Sequence, residues 1–308
     1  MRYHLGWTNE HGQPLEDQAS PLHFQPALAF AVCQARQGDF SPAGPGAAAV
    51  ELVYNFTLVH GEVQTGRTGD QDRPSIWWVW GPAQAINAGD GLHALARSAI
   101  MRWSQRDAPA QQVLKAVEAL DRACLALCEG QFLDLSFRDR LMVTSGDYYE
   151  MIERKSGALA GCAAALGALA SGAEDQACRA FHQAGCRLGM ARQVAQDVND
   201  FWGPQGDGLT AGNVLNKKKS LPLIYALDTA GTAARREMGN IYTKRVLEPA
   251  DVSRIVAILE EVGARRYALS QAEKLRDQAW ESLAELGLDR QQLASLEPLG
   301  RWALEGLP

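Results

Sequence analysis

From position 26 onward, stretches rich in Ala, Leu, Gln, Glu and Arg alternate with short Gly/Pro punctuation, and runs of alternating β-branched residues are nearly absent. Apolar positions recurring every three to four residues, rather than every second residue, predict helices and not strands. The pattern places helices over 24–37, 47–64, 82–104, 109–129, 147–171, 174–202, 217–228, 234–243, 249–262 and 264–286, with a final short one over 289–304. The Gly/Pro-rich segments 38–46 and 203–213 separate helices without any change of composition across them, so neither reads as an interdomain linker. About ten or more helices with short connections and one compositional character predict an all-α fold, a single helical-bundle domain over 1–308.

The segment 157–173, GALAGCAAALGALASGA, is the longest uncharged run. It is short for a membrane span and consists mostly of Ala and Gly rather than Leu, Ile or Phe, so the expectation is a buried helix whose small residues let neighbouring backbones approach, with no membrane span.

The segment Leu188 to Gly203, LGMARQVAQDVNDFWG, carries the most specific pattern. With successive residues about 100° apart, Leu188, Ala191, Ala195, Val198 and Trp202 form one apolar stripe. Gln193, Asp197 and Asp200 cluster on the opposite face, with Gln196 beside them. Two carboxylates one turn apart are able to share a divalent cation; an ordinary solvated face is the competing reading.

Composition narrows the partners. A formal charge of −6 gives no basic field for nucleic acid or anionic membranes, and 46% hydrophobic content over 308 residues suffices for a large core. The opening segment MRYHLGWTNEHGQPLEDQ has no apolar core and no cleavage pattern, which makes a cytoplasmic location the expectation. Six scattered cysteines without a CxxC pair or zinc-finger spacing read as reduced thiols, and Cys124 and Cys128, one turn apart, as helix packing. The fragment GPGAAA superficially resembles a dinucleotide-binding loop but lacks the preceding strand and the third glycine.

Between positions 50 and 96, the segments ELVYNFTLVH, RPSIWWVWG and AQAINAGDGLHALA resemble the trans-isoprenyl diphosphate synthase (polyprenyl synthetase) family. EGQFLDL from Glu129, Lys155-Ser156, QDVNDFWG and KKKSLPLIYAL follow in the family's order and approximate spacing, so the resemblance covers nearly the whole chain. It implies an isoprenoid-synthase helical bundle around a central cavity, a homodimer, and an allylic isoprenoid diphosphate held through magnesium ions between two aspartate-rich motifs on facing helices. Ionising such a diphosphate creates a carbocation and a multiply charged leaving group, which explains the demand for several cations and for apolar walls.

Against the family pattern, both motifs are depleted. Asp-Asp-x-x-Asp becomes Gly61-Glu62-Val63-Gln64-Thr65 at the first, with His60 and Gln64 as weaker ligands, and Gln196-Asp197-Val198-Asn199-Asp200 at the second. The resemblance thus implies Asp197, Asp200 and Glu62 as metal ligands, with reduced magnesium binding because hard cations need several oxygens and a negative site. The amino-terminal Gly-Lys-x-x-Arg signature, which would bind isopentenyl diphosphate, reads Pro21-Leu22-His23-Phe24-Gln25, and the Arg-Arg pair after the first motif reads Asp70-Gln71, with Arg67 and Arg73 close by. Lys155 and Lys218 match lysines on the allylic diphosphate, Gln193 matches a glutamine of the second motif's helix, and Phe56 and Thr57 occupy the places before the first motif where bulk sets product length.

Several of these residues have plainer readings. His60 is equally a satisfied helix histidine, Glu62 a helix-end charge, and Lys217, Lys218 and Lys219 a solvated basic cluster, although lysines at a helix start oppose its dipole and point to an anion. Trp77, Trp78 and Trp80 read as core or dimer packing rather than a carbocation cage. Two functions remain open. One is an enzyme acting on an allylic diphosphate with impaired or lost isopentenyl diphosphate elongation. The other is a non-catalytic partner or regulatory subunit of an active synthase, in a heteromer, or an isoprenoid-binding protein.

Overall fold

The computed structural model describes residues 1–15, 23–69, 73–106, 108–140, 142–203, 217–244 and 246–306. Pro21, Leu22, the Asp70-Gln71 pair and most of the predicted loop over 203–213 therefore lie outside the described residues. Among the described residues the structure is all-α, and pairing of extended backbone is confined to two isolated bridges, Thr8 with Pro14 and Gly69 with Pro74. The chain forms two compact units, residues 1–124 with 162–179, and residues 125–161 with 180–308.

The first unit contains α1 (Phe24–Gln37), α2 (Gly44–Thr65), α3 (Ile76–Trp80), α4 (Pro82–Met101) and the first part of α5 (Ala110–Phe137). Its boundaries follow from local chemistry. Gly38 ends α1 in a left-handed conformation and donates its N–H to the Gln34 carbonyl, while Pro45 and Pro82 occupy first-turn positions where no N–H is needed. Val59, Ile76, Ala85 and Leu92 make a core onto which Tyr3 folds. The amino-terminal segment is tied down by the Tyr3 hydroxyl, which donates to the Pro74 carbonyl at 2.7 Å, and by Arg73, which donates to the Tyr3 carbonyl. The five-residue α3 escaped prediction because it is too short to show a period. Trp77 packs against this core, whereas Trp78 and Trp80 lie on the surface, 61% and 42% exposed.

The uncharged run is helical over Ala158–Ala170 (α7) and buried along most of its length, and no described helix is long and apolar enough to cross a membrane. Its small residues permit close packing within each unit. In the first, a methyl group on Gly167 would collide with the Ala29 carbonyl. Gly167→Ala is expected to cost about 2 kcal/mol, read as a lower urea midpoint at unchanged slope.

The second unit contains the rest of α5, α6 (Ser145–Ile152), α8 (Asp175–Trp202) from residue 180, α9 (Leu221–Thr229), α10 (Thr232–Thr243), α11 (Pro249–Glu261), α12 (Ala264–Glu281) and α13 (Arg290–Ala303). Reciprocal capping boxes, Thr144 with Asp147 and Asp289 with Gln292, set the starts of α6 and α13. Leu223, Met238, Ile255, Ile258 and Leu259 join α9, α10 and α11 in one core. The predicted helix over 147–171 is real but contains a π-helical turn at Glu153–Gly157, and α9 starts at Leu221 rather than 217 because Lys217 adopts a left-handed φ of 58°. All six cysteines are free thiols; Cys124 is buried but Cys128 is exposed, so the pair does not share a packed face.

Candidate active site

From residue 184 to its end, helix α8 is buried on nearly all sides, and this changes the meaning of its polar face. Leu188, Ala191, Ala195 and Val198 are buried as the apolar stripe requires, yet Gln193 and Asp197 on the opposite side are buried too, Asp197 at 0% exposure. A carboxylate removed from water needs its lone pairs filled. Asp197 Oδ1 accepts from Gln193 Nε2 at 3.0 Å and Lys218 Nζ at 2.6 Å, and Oδ2 accepts from the Tyr148 hydroxyl at 2.7 Å and the Leu221 backbone N–H at 3.2 Å.

Each donor is placed by its own element. Leu221 is the first residue of α9, whose N-cap Ser220 makes no side-chain cap, so Asp197 supplies the negative group at that helix's positive end. Gln193 is oriented by Ser156, whose Oγ donates to Gln193 Oε1 at 2.7 Å and leaves the amide NH₂ for Asp197. Tyr148 is fully buried on α6. Burial pushes its phenol well above the ordinary tyrosine range, and the Asp197 charge pushes the same way, so Tyr148 stays a neutral donor.

Lys218 also lies 3.4 Å from Asp200 Oδ2. Burial alone would lower its ammonium, but Asp197, Asp200 and Asp134 outweigh that and raise it above the usual lysine range. Asp134, on α5, receives Lys155 Nζ at 2.6 Å. Burial pushes Asp134 up, and the nearby Lys155 and Lys218 more than reverse this, holding it below the usual carboxylate range. Lys155 itself sits in the π-helical turn, a wound-out stretch whose backbone runs against Gly130 so closely that a methyl group there would collide with it. Three carboxylates and two ammoniums are thereby linked within one unit.

The structure thus brings together Gln193, Asp197, Asp200, Lys155 and Lys218, the last two through Asp134. It adds Asp134, Tyr148 and Ser156, to which sequence reasoning gave no site role. Asp134 and Ser156 had a signal, since they lie in the EGQFLDL segment and in the Lys155-Ser156 pair; Tyr148 had none. The three consecutive lysines are not a solvated patch. Lys217 donates to the Lys244 carbonyl, Lys218 faces acids, and buried Lys219 lies 5.0 Å over the Tyr242 ring. Burial and then Lys217 pull the Lys219 ammonium below its ordinary range.

The remaining predicted residues belong to the first unit. His60 Nε2 lies 3.1 Å from the Ile86 carbonyl and 3.7 Å from Asp90, and its ring fills the notch left by Gly89, which joins α2 to α4. Phe56 meets His60 edge-on with ring centroids 5.1 Å apart. Glu62 is in the last turn of α2, its carbonyl accepting from Arg67 N–H at 3.1 Å. The Arg73 guanidinium lies 4.9 Å from the Tyr3 ring centre.

The polyprenyl synthetase family model matches residues 23–259. The chain belongs to the polyprenyl synthetase family. It is 36% identical over 268 residues to the geranylgeranyl diphosphate synthase of Mycobacterium tuberculosis, covering 86% of this chain and 75% of that one. The crystal structure of a polyprenyl synthetase from Streptomyces coelicolor is similar over 98% of this chain and 90% of that one, with a TM-score of 0.89 and 30% identity. A polyprenyl synthase from Caulobacter crescentus, solved in complex with calcium and isoprenyl diphosphate, matches with a TM-score of 0.82 at 26% identity over 94% of this chain and 86% of that one.

Family membership implies a divalent cation, and the residues on α8 do not fit one as they stand. All four acceptor directions of Asp197 are taken, and the space between Asp197 and Asp200 faces an ammonium. Gln196 is the exposed position of the motif, and it is a neutral amide. Among the described residues no group of three or more His, Cys, Asp and Glu side chains is arranged to hold a metal.

Proposed function

We propose that this chain is a divergent isoprenoid diphosphate synthase-like protein that acts on an allylic isoprenoid diphosphate, with isopentenyl diphosphate elongation impaired or lost. The observation that carries the reading is the convergence of Lys155 and Lys218 on one carboxylate cluster, which keeps two buried or half-buried ammoniums where an anion would exchange for a carboxylate. The isoprenyl diphosphate bound by the Caulobacter relative supports the ligand class. When the carbon–oxygen bond of the allylic diphosphate breaks, the electron pair leaves with the diphosphate, whose growing charge Lys155 and Lys218 balance, and the allylic cation adds water with loss of a proton, or loses a proton to give a diene. Depletion of the two acid motifs accords with weak magnesium binding, and the loss of cations at Leu22, Gln25, Asp70 and Gln71 with the loss of the isopentenyl diphosphate site. The proposal includes a single working domain over 1–308 in a homodimer, with Glu62, His60, Phe56 and Arg73 serving the substrate.

The experiment is a pyrophosphate-release screen with allylic diphosphates of several lengths, with and without magnesium and isopentenyl diphosphate. Release without elongation is the expected result. Absence of release from folded protein under every condition sinks the proposal.

A second reading, a non-catalytic partner of an active synthase or an isoprenoid-binding protein, is favoured by the saturation of Asp197. A carboxylate with four donors is held in place rather than poised for a cation. Copurification with an intact-motif synthase and a change in that synthase's product length would support it.

A further inference from the structure

We propose that Lys218 is the resident counter-ion of the second acidic motif, supplying through its ammonium the charge that a divalent cation would otherwise carry, so that this half of the site is metal-free. The proposal rests on the functional reading above only for the identity of the motif. Its evidence is the local geometry.

Lys218 Nζ lies 2.6 Å from Asp197 and 3.4 Å from Asp200, the two surviving acids, and is itself nearly buried. A magnesium ion bridging those acids would have to sit beside that ammonium, where like charges repel in a poorly solvated setting. Displacing the lysine would not by itself open the site. Asp197 would still be held by Gln193, Tyr148 and the first N–H of α9, which leaves it one acceptor direction, whereas magnesium demands near-octahedral oxygen coordination. The lysine is also fixed from its backbone. Lys217, the only described non-glycine residue with positive φ, turns the chain into α9 and anchors to the Lys244 carbonyl, which aims residue 218 at α8. Asp134, already paired with Lys155, adds its field to the same ammonium. The outward position that is free of this network is Gln196, and an amide contributes no charge to attract a cation.

The test uses the full chain, stripped with EDTA and titrated with magnesium or manganese chloride, without substrate, and read by thermal denaturation and calorimetry. The wild type is expected to show no shift in melting temperature and no binding heat through the millimolar range. Lys218→Met is expected to melt several degrees lower in EDTA, because the buried Asp197 carboxylate then loses its ammonium, and to stay equally low in millimolar magnesium, because Gln193, Tyr148 and the first N–H of α9 still hold Asp197. If Lys218→Met does not fold, the wild type and Asp200→Asn decide the matter, and both should be unresponsive. Magnesium stabilisation of the wild type by several degrees, abolished in Asp200→Asn, overturns the proposal. Substrate is absent throughout, so this test and the pyrophosphate screen fail independently.

Discussion

Asp197→Ala is expected to destabilise the protein by about 3–5 kcal/mol in metal-free buffer, the range for removing one partner of a buried charged network. The substitution leaves Lys218 as a buried ammonium facing, among the described acids, Asp200 and the more distant Asp134, and strips acceptors from the Tyr148 hydroxyl, the Gln193 amide and the first N–H of α9. For a chain of this length the loss corresponds to a fall of roughly 10 °C in melting temperature. Asp197→Asn should cost less, since it keeps the shape and one carbonyl acceptor. The sign of the effect discriminates between roles. A carboxylate that only awaits a metal is repelled by its neighbour in metal-free buffer, so its removal would be neutral or stabilising. Differential scanning calorimetry in EDTA reads the difference directly.

That prediction depends on the feature the sequence concealed. Periodicity correctly separated Leu188, Ala191, Ala195 and Val198 from Gln193 and Asp197, but a polar face opposite an apolar stripe is solvated only where that side of the helix is open. In α8 it is closed by Tyr148 from α6 and by the start of α9, elements 49 and 24 residues away in sequence from Asp197. Helical wheels carry no information about such covers. The same limit explains Asp134: its segment matched the family, but its pairing with Lys155 follows from a π-helical turn that no period announces. By contrast α1 was legible to the residue, because Gly38 is a helix terminator whose chemistry is local, and α11 nearly so, because Pro249 and the Glu248–Asp251 capping box mark its start. Local punctuation is written in sequence. Burial of charge is written in tertiary contacts.

The cluster also bears on how α8 is read within the family. Asp197 and Asp200 suggest partial metal binding if carboxylates are merely counted. Their geometry divides them differently. Asp197 carries an architectural duty, seating α9 and orienting Lys218, and that duty persists whether or not a metal is used. The outward position, Gln196, carries no such duty and is a neutral amide. An aspartate at 197 is therefore explained by the scaffold alone.

The second large effect lies in the amino-terminal segment and is read through pH. Burial pulls the His4 imidazole down to about 4, the N-terminal ammonium and Arg73 pull the same way, and Asn55 and Glu51 only partly oppose them. Its Nε2 is buried without a hydrogen-bond partner, so protonation there would place a charge where nothing receives it. In the unfolded chain the imidazole titrates near its ordinary value of about 6.5. Between these two values the unfolded state binds more protons than the folded one, so stability rises with pH through the window. His4 therefore contributes fully above about pH 6.5, and its contribution is lost as pH falls towards about 4, a change of about 3 kcal/mol. His4→Gln should remove this slope, leaving the remaining acid sensitivity to carboxylates such as Asp134, whose depressed value places their loss lower still. Urea unfolding of both proteins at intervals from pH 7 to pH 4 provides the check. Parallel curves would mean that His4 is solvated in the folded state. Tyr3 and Arg73, whose mutual contacts hold the same segment, would then be the residues that keep residues 1–15 in place.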